Sequence, residues 1–265
     1  MGSRPVGGAP VAVRALALAA AGLAGAAALP APSALGAEVG VELESPRIDP
    51  SNRRSLQNGA KAFVNICMGC HSAGYNRYSR VAQDLGLSEE DVERNLIFTT
   101  DENGEPTKIG ALMTNNMTVE YGKQAFGVVP PNLSLTARSR GEDWIYTMLK
   151  SYYLDPERAG TGVNNLVWPG TAMPHVLWTE QGWAAPVTEQ VNGHETVVGT
   201  ELVEPGRMSP DEYDDFVADI TNFLSYMSDP VREQRHEIGF LVMLFLLALL
   251  GVAYFLKKEY WKDVV

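Results

Sequence analysis

Both cysteines of this 265-residue chain fall within four positions, as Cys67 and Cys70, and His71 follows the second directly. Thiols placed this way cannot staple distant segments together, so the fold closes around whatever this turn holds, or by packing alone. Cys-x-x-Cys-His is the attachment pattern of c-type haem. One helical turn sets two sulfurs about a vinyl-to-vinyl distance apart, and each thiol adds across one vinyl group to give a thioether. The adjacent histidine is then held below the macrocycle, within reach of iron. On this reading Cys67 and Cys70 are covalent anchors, His71 is the proximal ligand, and the cofactor is one covalently bound haem c. A zinc site needs four ligands, and there is no second cysteine pair. A thioredoxin-like dithiol needs a βαβ context that the sequence lacks. A disulfide would leave His71 without a purpose.

Haem iron has a second axial position, which an electron-carrying cytochrome fills with Met or His. His194 falls in a hairpin pattern and His236 beside a long apolar run, which leaves His175 among the histidines. Apart from the initiating Met1, the methionines outside the motif and that run are Met113, Met117, Met148, Met173, Met208 and Met227. Met148 and Met227 sit on helical patterns and read as core. Met173 stands in NLVWPGTAMPHVLW, a stretch punctuated by Pro169 and Gly170, with Pro174 directly after it. Proline fixes the local backbone and removes a donor, which suits a ligand held at a set distance. At this point Met173 and His175 both stand as candidates, and a packing role is the plain alternative for Met173.

The two ends are not globular sequence. Arg4 and Arg14 precede ALALAAAGLAGAAAL, and small residues follow in PSALGAE, the order of a secretory signal. A retained first membrane helix is the alternative, but the Ala and Gly content makes the run only weakly hydrophobic. Near the other end, Ile238 to Leu256 contains no charged residue, close to the ~20 residues needed to cross hydrocarbon. Tyr254, Tyr260 and Trp261 suit an interfacial belt, and Lys257, Lys258 and Lys262 favour the cytoplasmic side. The expected organisation is a signal peptide at 1–37, a periplasmic haem domain at 38–236, a transmembrane helix at 237–256 and a cytoplasmic tail at 257–265.

Within the domain, DPSNRRSLQNGAKAFVNIC reads as a helix capped by Asp49 or Ser51, with Leu56, Ala60, Phe63 and Cys67 on one face. Gly59 inside it gives room for another helix to approach closely. SPDEYDDFVADITNFLSYMSDP carries a capping box, Ser209 with Glu212, Pro210 at the first helical position and a stop at Pro230. A shorter helix runs from about Gly141 to Leu154. VTEQVNGHETVVG reads as a hairpin turning at Asn192-Gly193. The fold class is mainly α: a cytochrome c-like haem domain with long loop insertions and a small β-hairpin, plus one C-terminal transmembrane helix. A formal charge of −11 argues against nucleic acid as a partner. SEEDVE, TTDENGE and PDEYDD fit either a solvated face or electrostatic steering of a basic protein.

CMGCHSAGYNRY, GVVPPNLSLTARSRGEDWIYTMLKSYY, the AMP loop and MSDPVREQRHEIGF, leading into the apolar run, follow one another over nearly the whole chain. In that order they resemble cytochrome c1, the haem subunit of the bacterial cytochrome bc1 complex (ubiquinol:cytochrome c oxidoreductase). The resemblance implies that Met173 is the sixth ligand and that Arg138 pairs with a haem propionate. From the residues alone, a surface ion pair is the simpler reading of Arg138. It also implies the partners: cytochrome b, the Rieske iron–sulfur protein, a soluble or membrane-bound c-type cytochrome, and membrane lipid, within a dimeric complex. The implied role is one-electron transfer from the Rieske protein to a c-type cytochrome, with no catalysis by this chain alone. The implied place is the inner membrane, single-pass, with the C-terminus cytoplasmic. A membrane-tethered cytochrome feeding a terminal oxidase, or a peroxidase-like enzyme with an open iron site, are the competing roles. Asn132 stands where many members carry Asp, Trp144 replaces another aromatic, and no extra cysteine pair exists for the disulfide of some bacterial members.

Overall fold

Two helices from opposite ends of the domain touch at a glycine, and the rest is arranged around that contact. The computed structural model describes residues 41–263 except Glu102 and Asn192; the expected signal segment lies outside them. Helix α1 (Arg53–Ala62) is capped by Asn52, whose side chain accepts from the Ser55 N–H. The cap is neither Asp49 nor Ser51. Asp49 instead accepts from both the amide and the hydroxyl of Ser51, which uses up those groups one turn early. The last long helix of the domain, α8 (Pro210–Ser228), has the capping box expected of Ser209 and Glu212. A Cβ at Gly59 would fall on the Asp219 carbonyl oxygen and lie 2.7 Å from Phe223 Cβ. The absent side chain lets the backbones meet. Phe63 and Phe223 then pack across the crossing, tilted at 51° with ring centroids 5.7 Å apart. Asn58 donates to Asp219, and Asn222 donates to the Asp49 carbonyl and to Ser55, fixing the register.

Between these two helices the chain makes short elements and loops. They are β1 (Ala73–Arg77), α2 (Tyr78–Leu85), α3 (Glu89–Asn95), β2 (Leu112–Met113), α4 (Val119–Phe126), α5 (Thr136–Arg140) and α6 (Glu142–Lys150). Then come β3 (Tyr152–Leu154), β4 (Val163–Asn165), α7 (Trp178–Gln181), β5 (Gly182–Val191) and β6 (His194–Pro205). All three sheets among the described residues are two-stranded and antiparallel: β1 with β2, β3 with β4, β5 with β6. Helix α6 stops at Lys150, short of the expected Leu154. Tyr152 and Tyr153 turn out of the helix to pair with Asn165 and Asn164, a placement that suits aromatic residues on a strand. Lys150, at the end of α6, bridges Glu44 and Asp214 and so ties the N-terminal segment to α8.

The hairpin is longer than expected, ten and twelve residues with two bulges. Val191 pairs with His194, leaving a two-residue connection in which Gly193 has φ +82°. The other turn residue, Asn192, lies outside the described residues. Helix α8 ends at Ser228, and three residues separate it from α9 (Arg232–Tyr260). Its 29 residues span about 44 Å. The stretch Gln234–Tyr260 is apolar enough to cross a membrane, and none of its most apolar window is buried against the domain.

Replacing Gly59 by Ala is expected to destabilise the domain by about 1–3 kcal/mol, because the obstacle is backbone and cannot rotate away. This outweighs the ~1 kcal/mol by which Ala is the better helix former. At Gly110 an added Cβ meets nothing within 4 Å, and Gly110→Ala should stay within about 0.5 kcal/mol of the parent. Thermal unfolding of the two variants checks this. Ser209→Ala, which dismantles the capping box, is expected to cost about 1 kcal/mol in the same assay.

Candidate haem site

Helix α1 does not run straight into the cysteine motif. Phe63–Cys67 forms a π turn, closed by the Met68 N–H donating to the Phe63 carbonyl at 2.8 Å. The widened turn keeps Phe63 fully buried while Cys67 and Cys70 stay partly accessible. Single π turns inside helices recur at functional sites. The Cys67 carbonyl then accepts from the amides of Cys70 (3.1 Å) and His71 (2.8 Å), which fixes both thiols and the imidazole in one turn. Burial pushes the Cys67 thiol up to about 12, with Cys70 adding to it, and burial raises Cys70 as well. Cys67 is only partly exposed, and no disulfide joins the pair. Thiols held protonated do not suit a redox dithiol, which needs a depressed pKa. Nor do three or more His, Cys, Asp or Glu side chains converge on a metal site among the described residues.

His71 is 9% exposed, and its Nδ1 lies 2.8 Å from the Pro131 carbonyl oxygen. A carbonyl only accepts, so Nδ1 carries the proton and Nε2 presents its lone pair. Burial lowers the imidazole pKa, against a smaller upward pull from Pro131, so the ring is neutral at pH 7. A neutral ring with one nitrogen engaged by a carbonyl is the ordinary state of a metal-binding histidine. The Pro131 segment is itself latched to the motif. Leu133 N–H donates to the Ser72 carbonyl, and Tyr75 N–H to the Ser134 hydroxyl. Asn132 Oδ1 accepts from the amide and hydroxyl of Ser134, and its Nδ2 would lie 2.9 Å from a Cβ at Gly74. The bonds made here come from a side-chain oxygen, which Asn and Asp share, so the departure at this position is tolerated.

Met173 lies half-buried at the edge of the core that also borders Cys67. Its loop has no regular structure but is tightly determined. Arg158 donates from one Nη to the carbonyls of Gly170 and Thr171, at 2.9 and 2.8 Å. Asn164 accepts from Gly170 N–H. Asn165, fully buried, accepts from the amides of Val167 and Trp168 and donates to the Met148 carbonyl. Thr171 Oγ1 accepts from the Met173 amide at 3.2 Å. Gly170, at φ +79°, makes the reversal that sends the chain to Met173. Two thiols, an imidazole lone pair and a thioether held this rigidly fit a covalently attached haem.

The competing residues fall elsewhere. His175 is buried in an aromatic stack, 5.0 Å from Tyr152 and 5.9 Å from Trp183, centroid to centroid. Burial drops its pKa to about 4; the Gly182 backbone offsets a little of this without a full hydrogen bond. Both ring nitrogens and the Tyr152 hydroxyl are buried with no partner. Met148 and Met227 are core, as their helical spacing suggests. His194 is exposed at the start of β6, and His236 lies on α9. Arg138 is exposed on α5 and makes no ion pair among the described residues. Its neighbour Arg140 is the one that packs, 5.1 Å over buried Trp144 and 5.5 Å over Trp168. A groove of about 660 Å³ touches Met68 and Gly69 of the motif but neither thiol, neither His71 nor Met173. Pro131, Asn164, Asn165 and Arg158 escaped the sequence reading. The only signal was their crowding beside Gly and Pro next to the candidate ligands.

The Cytochrome C1 family model matches residues 47–264. Cytochrome c1 of Allochromatium vinosum is 50% identical over 238 residues, 88% of this chain and 95% of that one. The ammonia monooxygenase gamma subunit of Nitrosomonas europaea is 44% identical over 224 residues, 84% of this chain and 89% of that one. The mitochondrial cytochrome c1 haem protein of Kluyveromyces lactis is 24% identical over 239 residues, 82% of this chain and 73% of that one. With its haem motif, mainly helical fold and apolar C-terminal helix in the matched region, the chain belongs to the cytochrome c1 family, the electron-transfer subunit of the bc1 complex that carries one covalently bound haem c.

Proposed function

We propose that this chain takes single electrons from the Rieske iron–sulfur protein and passes them to a c-type cytochrome. In this reading Cys67 and Cys70 anchor the haem, and His71 and Met173 are its axial ligands. Haem c supplies a one-electron iron couple there. The observation that carries the proposal is the double restraint: Pro131 locks the His71 tautomer, while Arg158, Asn164 and Asn165 fix the Met173 loop. Two ligands supplied from positions fixed in this way would fill the coordination sites of the iron and limit its rearrangement on electron transfer. That suits a carrier better than a peroxidase-like site. His175, engaged by Tyr152 and Trp183, is a packing residue in this scheme. Arg138 is free to turn toward a propionate, to which a guanidinium offers paired charge-assisted bonds. Helix α9 anchors the chain to the inner membrane. The haem domain faces the periplasm, and the lysines at the end of α9 face the cytoplasm. Cytochrome b lies beside α9 in a dimeric complex.

Three outcomes are expected. Met173→Leu retains attached haem but loses the sulfur-to-iron charge-transfer band, and its midpoint potential falls by a large part of the roughly 0.8 V range that axial ligation commands. An unchanged band and potential would remove Met173 from the ligand set. Asn165→Ala strips the Met173 loop of its support at about 1–3 kcal/mol; the band should then fade at a lower temperature than in the parent, with haem content unchanged. Acidic side chains in α3 and at the start of α8 are exposed. Electron transfer to a basic c-type cytochrome should therefore slow by roughly tenfold or more as salt is raised, in stopped-flow measurements.

A further inference from the structure

The two flanks of Met173 are held by different means. Upstream the hold is polar: Arg158 on the Gly170 and Thr171 carbonyls, Asn165 on the Val167 and Trp168 amides, and Thr171 Oγ1 on the Met173 amide. Downstream, the next backbone bond among the described residues is the His175 carbonyl accepting from the Trp178 N–H, long at 3.4 Å. What holds that flank is a row of rings. His175 lies almost parallel to Tyr152, with 9° between the planes and 5.0 Å between centroids, and meets Trp183 in a T-shaped contact at 5.9 Å. Trp183 in turn stacks on Trp178, at 15° and 5.5 Å. His175 is 5% exposed, and neither ring nitrogen bonds to another protein group. The ring is therefore gripped by aromatic contact alone.

Two features carry this grip back to the sulfur. Pro174 separates His175 from Met173; its ring fixes φ at about −65° and biases the residue before it toward extended backbone. The Cα atoms of Met173 and His175 are thus about 7 Å apart at most, with little torsional freedom between them. Tyr152, the other half of the stack, is paired across β3 and β4 with Asn165, the residue that shapes the upstream flank. One register pair of a two-stranded sheet supports the Met173 loop on both sides, by an amide upstream and by a ring downstream. We infer that His175 is a positioning residue for the sixth ligand of the iron. Its stack on Tyr152 keeps the Met173 sulfur in place, and the ring does so by its shape, with no bond from its nitrogens. The inference rests on Met173 being that ligand.

The test uses the haem-loaded full chain in detergent, oxidised, with added imidazole as a probe that binds the iron only when the methionine leaves it. His175→Leu fills a similar volume without a flat ring, and His175→Phe keeps the ring without the nitrogens. His175→Leu is expected to bind imidazole about tenfold more tightly than the parent, the scale of one lost aromatic pair, and to lose the sulfur-to-iron band at a lower temperature. His175→Phe should match the parent in both. Ser209→Ala lowers stability away from the site and should leave imidazole binding unchanged, which separates positioning from general loosening. Should His175→Leu not accumulate, Trp183→Leu carries the test, with a rise of about threefold expected. Parent-like imidazole binding in His175→Leu, or in Trp183→Leu where it stands in, would overturn the inference. So would a rise in His175→Phe or in Ser209→Ala equal to that in His175→Leu. A band and imidazole affinity left unchanged by Met173→Leu would overturn the ligand assignment itself, whereas a band present in the parent and lost in Met173→Leu confines any failure to His175.

Discussion

The backbone contact at Gly59 is the constraint on which the rest depends. It brings the start and end of the domain together without an intervening side chain, and it sets the direction in which α1 delivers the cysteine motif. Phe63 is committed to the core by its tilted contact with Phe223. The chain must then leave that core within four residues to keep Cys67 reachable, and the π turn supplies the rotation. His71 is placed by this turn on one side, and the Pro131 carbonyl meets it from the other. A shift in the helix crossing would therefore appear at the imidazole, some twelve residues downstream.

Much of this was legible because short-range rules governed it. The capping box at Ser209 and Glu212, the hairpin and the apolar run all follow from spacing alone, and the structure has them. The identity of the motif residues was equally local. What escaped depended on partners far along the chain. The end of α6 at Lys150 is decided by Tyr152 and Tyr153 finding β4, eleven or more residues later. The cap of α1 passed to Asn52 because Asp49 had already engaged Ser51. The π turn has no composition of its own; it arises because core packing and site access make opposite demands on adjacent residues.

The two sides of the candidate site are built differently. His71 is held by covalent neighbours and one backbone carbonyl, which a sequence motif can encode. Met173 sits in a loop whose shape is dictated by three polar side chains from β4 and the segment before it, bonding to backbone groups within residues 167–171. No pattern in the sequence marks Arg158 or Asn165 as loop supports, since arginine and asparagine are ordinary surface residues elsewhere. Here Asn165 is buried and Arg158 half-buried, and bonded to backbone groups they act as fixed scaffolding. This is why Met173 and His175, two positions apart, were hard to rank from the chain alone, yet occupy different surroundings in space.

The β5–β6 ribbon stands as an isolated pair, so its two outer edges carry unpaired backbone donors and acceptors along most of their length. Such edges are templates for adding another strand. The ribbon carries Glu189, Glu195, Glu201 and Glu204 and no lysine or arginine. Two copies approaching edge to edge would bring these like charges toward each other. That repulsion disfavours edge-to-edge pairing of two ribbons, whereas a strand carrying positive charge would not meet it.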